Sequence, residues 1–497
     1  MAGRSEFDVA VVGGGAAGAV VGARLSESGS RSVVLLEAGP DLRADLPEEI
    51  RDGWHMTRQF DWGYASEPDE LGAVQNLRRV KLLGGTSSIA RFALRGSPAD
   101  YDEWEALGNA GWGFNDVLPY LRKIEADGDF GDEPWHGSDG PIPVNRYLDI
   151  ERTDVHAAAI RALEGSGFPT VEDHNRPGAV GVGRMPMNTK DGVRVSSAAA
   201  YLPLGHTSPN LTIRPDAQVA NVVLDGTRAT GVRLLDGTII VASLVVLCAG
   251  TYGSPPILMR SGIGPAEHLR SVGVPVRVDL PGVGANLADH PSTDLDTGFR
   301  GAARTAPLLH SAATFHSATA STDEPPDLMF WVADPGSPED PPQLTIDILL
   351  LKPLSTGRVR LRSAVPGDAP RIELPNLREP FDLERLAEGY RRAREIAGHP
   401  DLRRLCPEPL PPEIAEDQEL RSTIRRSVYS VPHVVGTCAM GPSPNDGAVV
   451  DGSGRVHGTE ALFVVDASIM PTVPSGFTHL PTIMIAERLS EQITAVL

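Results

Sequence analysis

An α/β fold is the expectation for this 497-residue chain, and three observations carry it. A short apolar run, Asp8 to Val12, leads directly into a glycine-rich turn. That turn, Gly13-Gly14-Gly15-Ala16-Ala17-Gly18, opens an Ala- and Leu-rich segment with helical character, Ala16 to Ser28. A second apolar run, Val33 to Leu36, ends on the acid Glu37. Strand, turn, helix, strand and acid in that order form a βαβ unit of the Rossmann-like kind, with buried parallel strands.

The physics of this unit suits a dinucleotide. Gly13 permits the tight strand-to-helix turn, Gly15 lets backbone approach a pyrophosphate, and Gly18 lets helix and strand pack closely. Ala16 and Ala17 begin the helix, whose free N–H groups face the negative charge. Glu37, followed by Ala38, can accept hydrogen bonds from ribose hydroxyls and disfavours a 2′-phosphate. The motif itself leaves FAD and NAD both open.

Further along, Gly84-Gly85-Thr86-Ser87-Ser88 is small and polar, suited to close packing against a flat ligand or another backbone. Residues 126–147, rich in Gly, Pro and Asp, read as an irregular surface excursion. Thr153 to Gly165 reads as a helix. Residues 211–247, with turns at Asp225-Gly226 and Asp236-Gly237, read as a β-meander, and Ser243 to Leu247 as a buried strand. Residues 300–345 read as loops near a substrate entrance. Strands are expected at Leu344 to Leu351, Gly357 to Leu361 and Leu462 to Val465. Helices are expected at Phe381 to Ile396 and Pro481 to Leu497, with a Pro-rich stretch at 407–413.

Composition excludes several function classes. There are 45 basic and 65 acidic residues, a net charge of −20, so the electrostatic footprint of a nucleic-acid binder is missing. Three cysteines, Cys248, Cys406 and Cys438, do not make a disulfide framework. No CxxC, HExxH or paired Cys/His cluster is present, so no metal site is expected, and no GxSxG occurs. No run approaches the roughly 20 apolar residues of a membrane span. The apolar N-terminal stretch carries Glu6 and Asp8 where a signal peptide carries positive charge, so a cytoplasmic protein is expected.

The last 70 or so residues hold two histidines in turn-rich settings: His433 in HVVGTCAMG and His479 in SGFTHLPT. An imidazole titrating near pH 6.5 suits proton transfer at neutrality. Sequence spacing alone does not bring the two together.

These segments, in order, resemble the glucose–methanol–choline (GMC) family of flavin-dependent alcohol oxidoreductases. The resemblance runs from Phe7 to Ile493. It rests on the N-terminal fingerprint, DWGYASEP (61–68), GGTSS (84–88), YDEW (101–104) and GTYGSPPILMRSGIGP (250–265). PGVGANLADHP (281–291), HVVGTCAMG (433–441) and VVDASIMPTVPSGFTHLPTIMIAE (464–487) complete it.

The resemblance implies FAD and a discontinuous Rossmann-like FAD-binding domain over 1–150, 196–291 and 433–497. It also implies an α+β substrate domain with an antiparallel sheet over 151–195 and 292–432. Gly13, Gly15, Gly18 and Glu37 are expected to hold the ADP half, and Val219 to meet the adenine through its backbone. Gly84, Gly85 and Ser88 are expected along the flavin and pyrophosphate, with Ala90 near the flavin edge where many relatives have Asn. Asp466 and Ala467 are expected at the ribityl chain and ring edge, and Thr478 and Pro481 beside the ring. His433 matches the family's catalytic histidine and His479 its second catalytic position, whereas His290 matches a family-typical turn and is read as structural. Phe477 is read as an apolar wall. No histidine stands in the 84–92 stretch, where some members tether FAD, so dissociable FAD is expected.

The implied reaction is oxidation of an alcohol, with His433 as base, His479 orienting the hydroxyl oxygen, and oxygen or another acceptor taking the electrons. The compact length and the MPTVP…LPT stretch look most like bacterial oxidases of small primary and aryl alcohols, including hydroxymethylfurfural-type compounds. Alternatives within the family are a dehydrogenase using a non-oxygen acceptor, a hydroxynitrile lyase using the same histidine pair, and, against the intact pair, a photodecarboxylase.

Overall fold

The computed structural model describes residues 6–51, 59–152, 154–205, 208–296, 310–333, 345–374, 376–406 and 409–496. The N-terminal apolar run forms the strand Glu6–Val12, whose last four residues are buried. It pairs in parallel with Val33–Leu36 on one side and with Ile239–Leu247 on the other. The helix Ala16–Ser26 crosses between the first two strands, burying Ala17, Ala19, Val20, Val21 and Leu25.

The expected meander at 211–247 is divided. Leu211–Arg214 is not antiparallel to its successor; it extends the sheet in parallel beside Val33–Leu36. The chain then runs on past that strand's end. Glu37 N donates to Arg214 O, Ala217 N to Glu37 O and Asp216 N to Gly39 O. Those bonds set Ala217 and Val219 next to Glu37. The meander proper is Val219–Asp225, Arg228–Leu234 and Ile239–Leu247.

The separately expected strand at 243–247 is the second half of Ile239–Leu247. This strand changes partner along its length. Ile239, Ile240 and Val241 pair antiparallel with Arg233, Val232 and Gly231, whereas Val241 to Leu247 run parallel to Glu6–Val12. Its last three residues also pair in parallel with Leu462–Val464.

A second sheet is antiparallel throughout. Its order is Tyr429–Ser430, Pro291–Asp296, Thr345–Leu350, Leu328–Ala333, His310–Phe315 and Gly181–Arg184. Two-residue alternation sorts its side chains. Leu328, Phe330, Ile346, Ile348 and Leu350 pack with Leu383, Leu386, Tyr390 and Ala393 of the helix Pro380–Ala397 and with the helix Asp154–Gly165. Met329, Leu349 and Ala312 face the other way, toward Phe92 and Phe477.

Two expectations are corrected here. Residues 310–315 and 328–333 of the supposed loop region are central strands; 300–309 and 334–344 lie outside the described residues. Residues 126–147 are not a surface excursion, because Glu125–Asp127 pairs in parallel with Ile142–Val144 around a buried ion network. His136, fully buried, meets Glu125 Oε1 at 2.8 Å, Asp127 Oδ2 at 3.2 Å and Asp173 Oδ2 at 3.0 Å. Arg146 spans Asp127 and Asp173, and Arg95 meets Glu125 at 3.0 Å. Glu125, Asp127 and His136 stand close enough to share a metal ion. Yet the two guanidiniums and a protonated imidazole already match the three buried carboxylates, so the cluster is self-neutralising. Its carboxylates hold the imidazole pKa above the ordinary value against the effect of burial.

The run SGIGP links the short helices Ser254–Arg260 and Ala266–Ser271, and its Ile263–Gly264 pairs in parallel with Val278–Asp279. The C-terminal helix begins earlier than expected, as His479–Val496. Among the described residues, no helix is long and apolar enough to cross a membrane.

Candidate active site

A single elongated cavity of about 730 Å³ joins the glycine turn to the two histidines. Fourteen of the expected site residues line it: Gly13, Gly15, Ala16, Ala17, Glu37, Ala38, Gly85, Ala90, Val219, His433, Asp466, Ala467, Thr478 and His479. Gly18, Gly84, Ser88 and Pro481 do not.

Each of the four has a different local reason. A Cβ at Gly18 would overlap the Gly13 carbonyl oxygen, so Gly18 serves helix–strand contact alone. Gly84, at φ +105°, donates its N–H to Gly14 O at 2.8 Å and is covered by the Ser88 side chain. Ser88 is buried, and its carbonyl accepts from Arg194 Nη1 at 3.0 Å. Pro481 lies in the first turn of the C-terminal helix, off the cavity wall.

At the glycine end, Gly13 turns the chain at φ +97°, which an L side chain rarely adopts. Gly15 is open: a Cβ there would have only the Gly85 Cα within reach, at 3.9 Å, and would project into free space. No side chain caps the N-terminus of the helix Ala16–Ser26. Its first N–H groups remain available to an anion. Glu37 Oε2 accepts from Gly14 N and Oε1 from Gly39 N, each at 2.8 Å, which fixes the carboxylate at the cavity wall. Burial raises its pKa to about 7 against those two bonds.

In the middle, Asp466 Oδ2 accepts from Gly250 N at 2.9 Å and Ser254 Oγ at 2.6 Å, while Oδ1 accepts from Ser468 N at 2.8 Å. Its carboxylate is therefore committed to joining the Ala249–Gly253 turn to the end of the strand Leu462–Val464.

At the far end, His433, Phe477 and His479 line the same stretch of wall. The Phe477 ring packs on His433 with centroids 4.4 Å apart, and His479 follows two residues later. Phe477 also meets Phe92 at 5.3 Å, and Phe92 meets Trp331 edge-on at 5.0 Å. Trp331 Nε1 donates to His310 Nδ1 at 2.9 Å, which fixes its indole as a wall. Both ring nitrogens of His479 are buried and, among the described residues, without a hydrogen-bond partner. Burial lowers the His479 pKa to about 4. Burial, with the positive charge of Arg79, holds the His433 pKa well below the ordinary value, so both imidazoles are neutral at pH 7.

His290, read from sequence as structural, touches the site. Its Nδ1 lies 3.1 Å from His433 Nδ1, and its Nε2 lies 3.0 Å from Pro474 O. Sequence reasoning also missed Phe92, Trp331 and the segments Pro366–Pro370 and Tyr429–Pro432, all of which line the cavity. The run Leu-Met-Phe-Trp-Val (328–332) was a findable strand signal for Trp331; the Pro366–Pro370 loop left none.

The residues present fit FAD. The uncapped helix, the open cradle at Gly15 and the unpartnered His479 nitrogens await groups that the described residues do not supply, and the Glu37 carboxylate lines the same cavity.

The sequence profile of the GMC oxidoreductase matches residues 7–292 and 353–486. The chain is 37% identical to 5-(hydroxymethyl)furfural oxidase of Methylovorus sp. (strain MP688) over 98% of both chains. It is 34% identical to an oxygen-dependent choline dehydrogenase of Paraburkholderia phymatum, covering 98% of this chain and 92% of that one. Among solved structures, pyridoxine 4-oxidase from Mesorbium loti superposes with a TM-score of 0.88 at 32% identity, over 98% of both chains. A fungal aryl-alcohol oxidase shares the fold, with a TM-score of 0.84 at 22% identity over 99% of both chains. Those relatives and the matched profiles imply FAD as the cofactor and an alcohol-type donor as the substrate. The chain belongs to the GMC oxidoreductase family.

Proposed function

We propose that this protein oxidises a small primary or aryl alcohol to the aldehyde, using non-covalently bound FAD. The observation that carries the reading is that His433, Phe477 and His479 line one cavity that begins at the glycine turn, with Phe477 packed on His433. FAD, when bound, supplies the hydride acceptor. The chain's own residues do the rest. The neutral imidazole of His433 takes the hydroxyl proton, and His479 orients the same oxygen through one of its free nitrogens. Positioned acid–base catalysis of this kind contributes about 10²–10⁴-fold. Phe92, Trp331 and Phe477 exclude water and offer flat apolar faces to an aromatic or short apolar substituent. The resemblance to 5-(hydroxymethyl)furfural oxidase supports the same substrate class.

The test is anaerobic mixing of the yellow protein with primary, aryl and secondary alcohols while the visible flavin band is followed. Bleaching by primary or aryl alcohols supports the proposal, and admitting air then separates oxygen from another electron acceptor. If no alcohol bleaches the flavin while a cyanohydrin releases cyanide, the reading gives way to a lyase.

A further inference from the structure

His290 sits behind His433, and the contacts of its two nitrogens define a direction for the protons. A carbonyl oxygen only accepts, so the 3.0 Å contact with Pro474 O requires a proton on His290 Nε2. The ring is fully buried, and among the described residues no carboxylate bonds to either of its nitrogens, so it carries one proton. Its Nδ1 is then a lone pair, and the 3.1 Å contact requires His433 Nδ1 to be the donor. The second proton-free nitrogen of the pair is therefore His433 Nε2.

We propose that His290 is a positioning residue that fixes the tautomer of His433, keeping the proton on Nδ1 and the base lone pair on Nε2. When His433 gains a proton, the same His290 lone pair continues to accept from Nδ1–H, so the charged ring keeps its partner in a dry site. Asp289 holds the frame: its Oδ1 accepts from His290 N at 2.8 Å and His433 N at 2.7 Å, and Ser430 Oγ donates to its Oδ2. The charged groups facing the pair are Arg79 near His433, with Lys352 and Asp100 near His290.

The inference rests on the base role of His433, and its test separates the two. In ¹⁵N-histidine-labelled holoenzyme, long-range ¹⁵N–¹H spectra report the tautomer of each ring, with His433→Ala used for assignment. The expected result is Nδ1–H for His433 and Nε2–H for His290 in the wild type, with His433 shifting toward Nε2–H in His290→Leu. His433 found as Nε2–H in the wild type, or unmoved by His290→Leu, overturns the proposal whether or not any alcohol is a substrate. In stopped-flow reduction, His290→Leu is expected to slow the rate about 10- to 100-fold with little change in alcohol affinity. His290→Asn, whose Oδ1 can still accept from His433, is expected to restore most of it. Equal rates in wild type and His290→Leu refute the positioning role. A wild type that no alcohol reduces refutes the proposed function while the spectra still decide the tautomer.

Discussion

Gly15 and Gly18 stand three residues apart in one motif, and the structure gives them opposite jobs that substitution can separate. A Cβ at Gly18 overlaps the Gly13 carbonyl oxygen and comes within 3.2 Å of Cys248 Cβ. The obstacle is backbone, so helix and strand must part. Overpacking of this kind costs about 1–3 kcal/mol, and alanine's better helix propensity returns about 1 kcal/mol. Because the clash is with a carbonyl that cannot swing away, Gly18→Ala is expected to destabilise the fold by about 2 kcal/mol, with or without cofactor. Gly15, at φ −75°, accepts a side chain without backbone strain, and its Cβ would enter open cavity. Gly15→Val should therefore leave the apoprotein's stability within about 0.5 kcal/mol. The same 1–3 kcal/mol then falls on the complex, weakening FAD by about 5- to 150-fold. Thermal unfolding of both apoproteins, together with FAD titration by flavin fluorescence, measures the two effects. Gly15→Val retaining wild-type FAD affinity, or Gly18→Ala melting with the wild type, refutes the division of labour.

Other expectations follow from the same geometry. His433→Ala should leave the visible flavin spectrum intact and slow anaerobic reduction by about 10²-fold or more. The depressed His433 pKa keeps its base form populated at neutrality, so the reduction rate should stay flat as pH falls to about 6.5, where an ordinary histidine would be half protonated. Trp331→Ala should raise KM for aryl alcohols about 2- to 10-fold, the worth of one aromatic contact, with less effect on short aliphatic alcohols. His136, whose pKa is raised in the folded state, contributes its full stability below about pH 6.5, and loses it as pH climbs through the raised value. The wild-type melting temperature should therefore decline on the alkaline side. His136→Gln should melt lower at neutral pH by the equivalent of about 3–5 kcal/mol and flatten that decline.

The glycine cradle was legible because its parts are local: residues 8–37 contain the strand, turn, helix, strand and acid that act together. Gly18 was identified within it and Gly84 in the later GGTSS segment, yet which of them face a ligand depends on Gly13 O, Gly14 O and Ser88, and only packing reveals that. The histidine pair was legible through family resemblance, whereas its convergence on one cavity is a product of the fold. The strand His310–Phe315 was hidden by its Ser, Thr and Ala content, which reads as loop until a neighbouring strand buries it. The segment 126–147 looked solvated because its charges find partners far away in sequence: Arg95 lies before it and Asp173 after it.

The strand Ile239–Leu247 ends against Leu462–Val464, and that pairing carries a cost during synthesis. While the intervening chain is being made, the edge at Val245–Leu247 has no partner, for roughly ten to forty seconds at about 5–20 residues per second. Such an edge is apolar and open to pairing with another nascent chain. The Asp466 bonds to Gly250 and Ser254 come from the residue two positions beyond the strand that covers that edge. The cofactor cradle is thus completed only by residues made near the end of synthesis, Leu462 to Asp466.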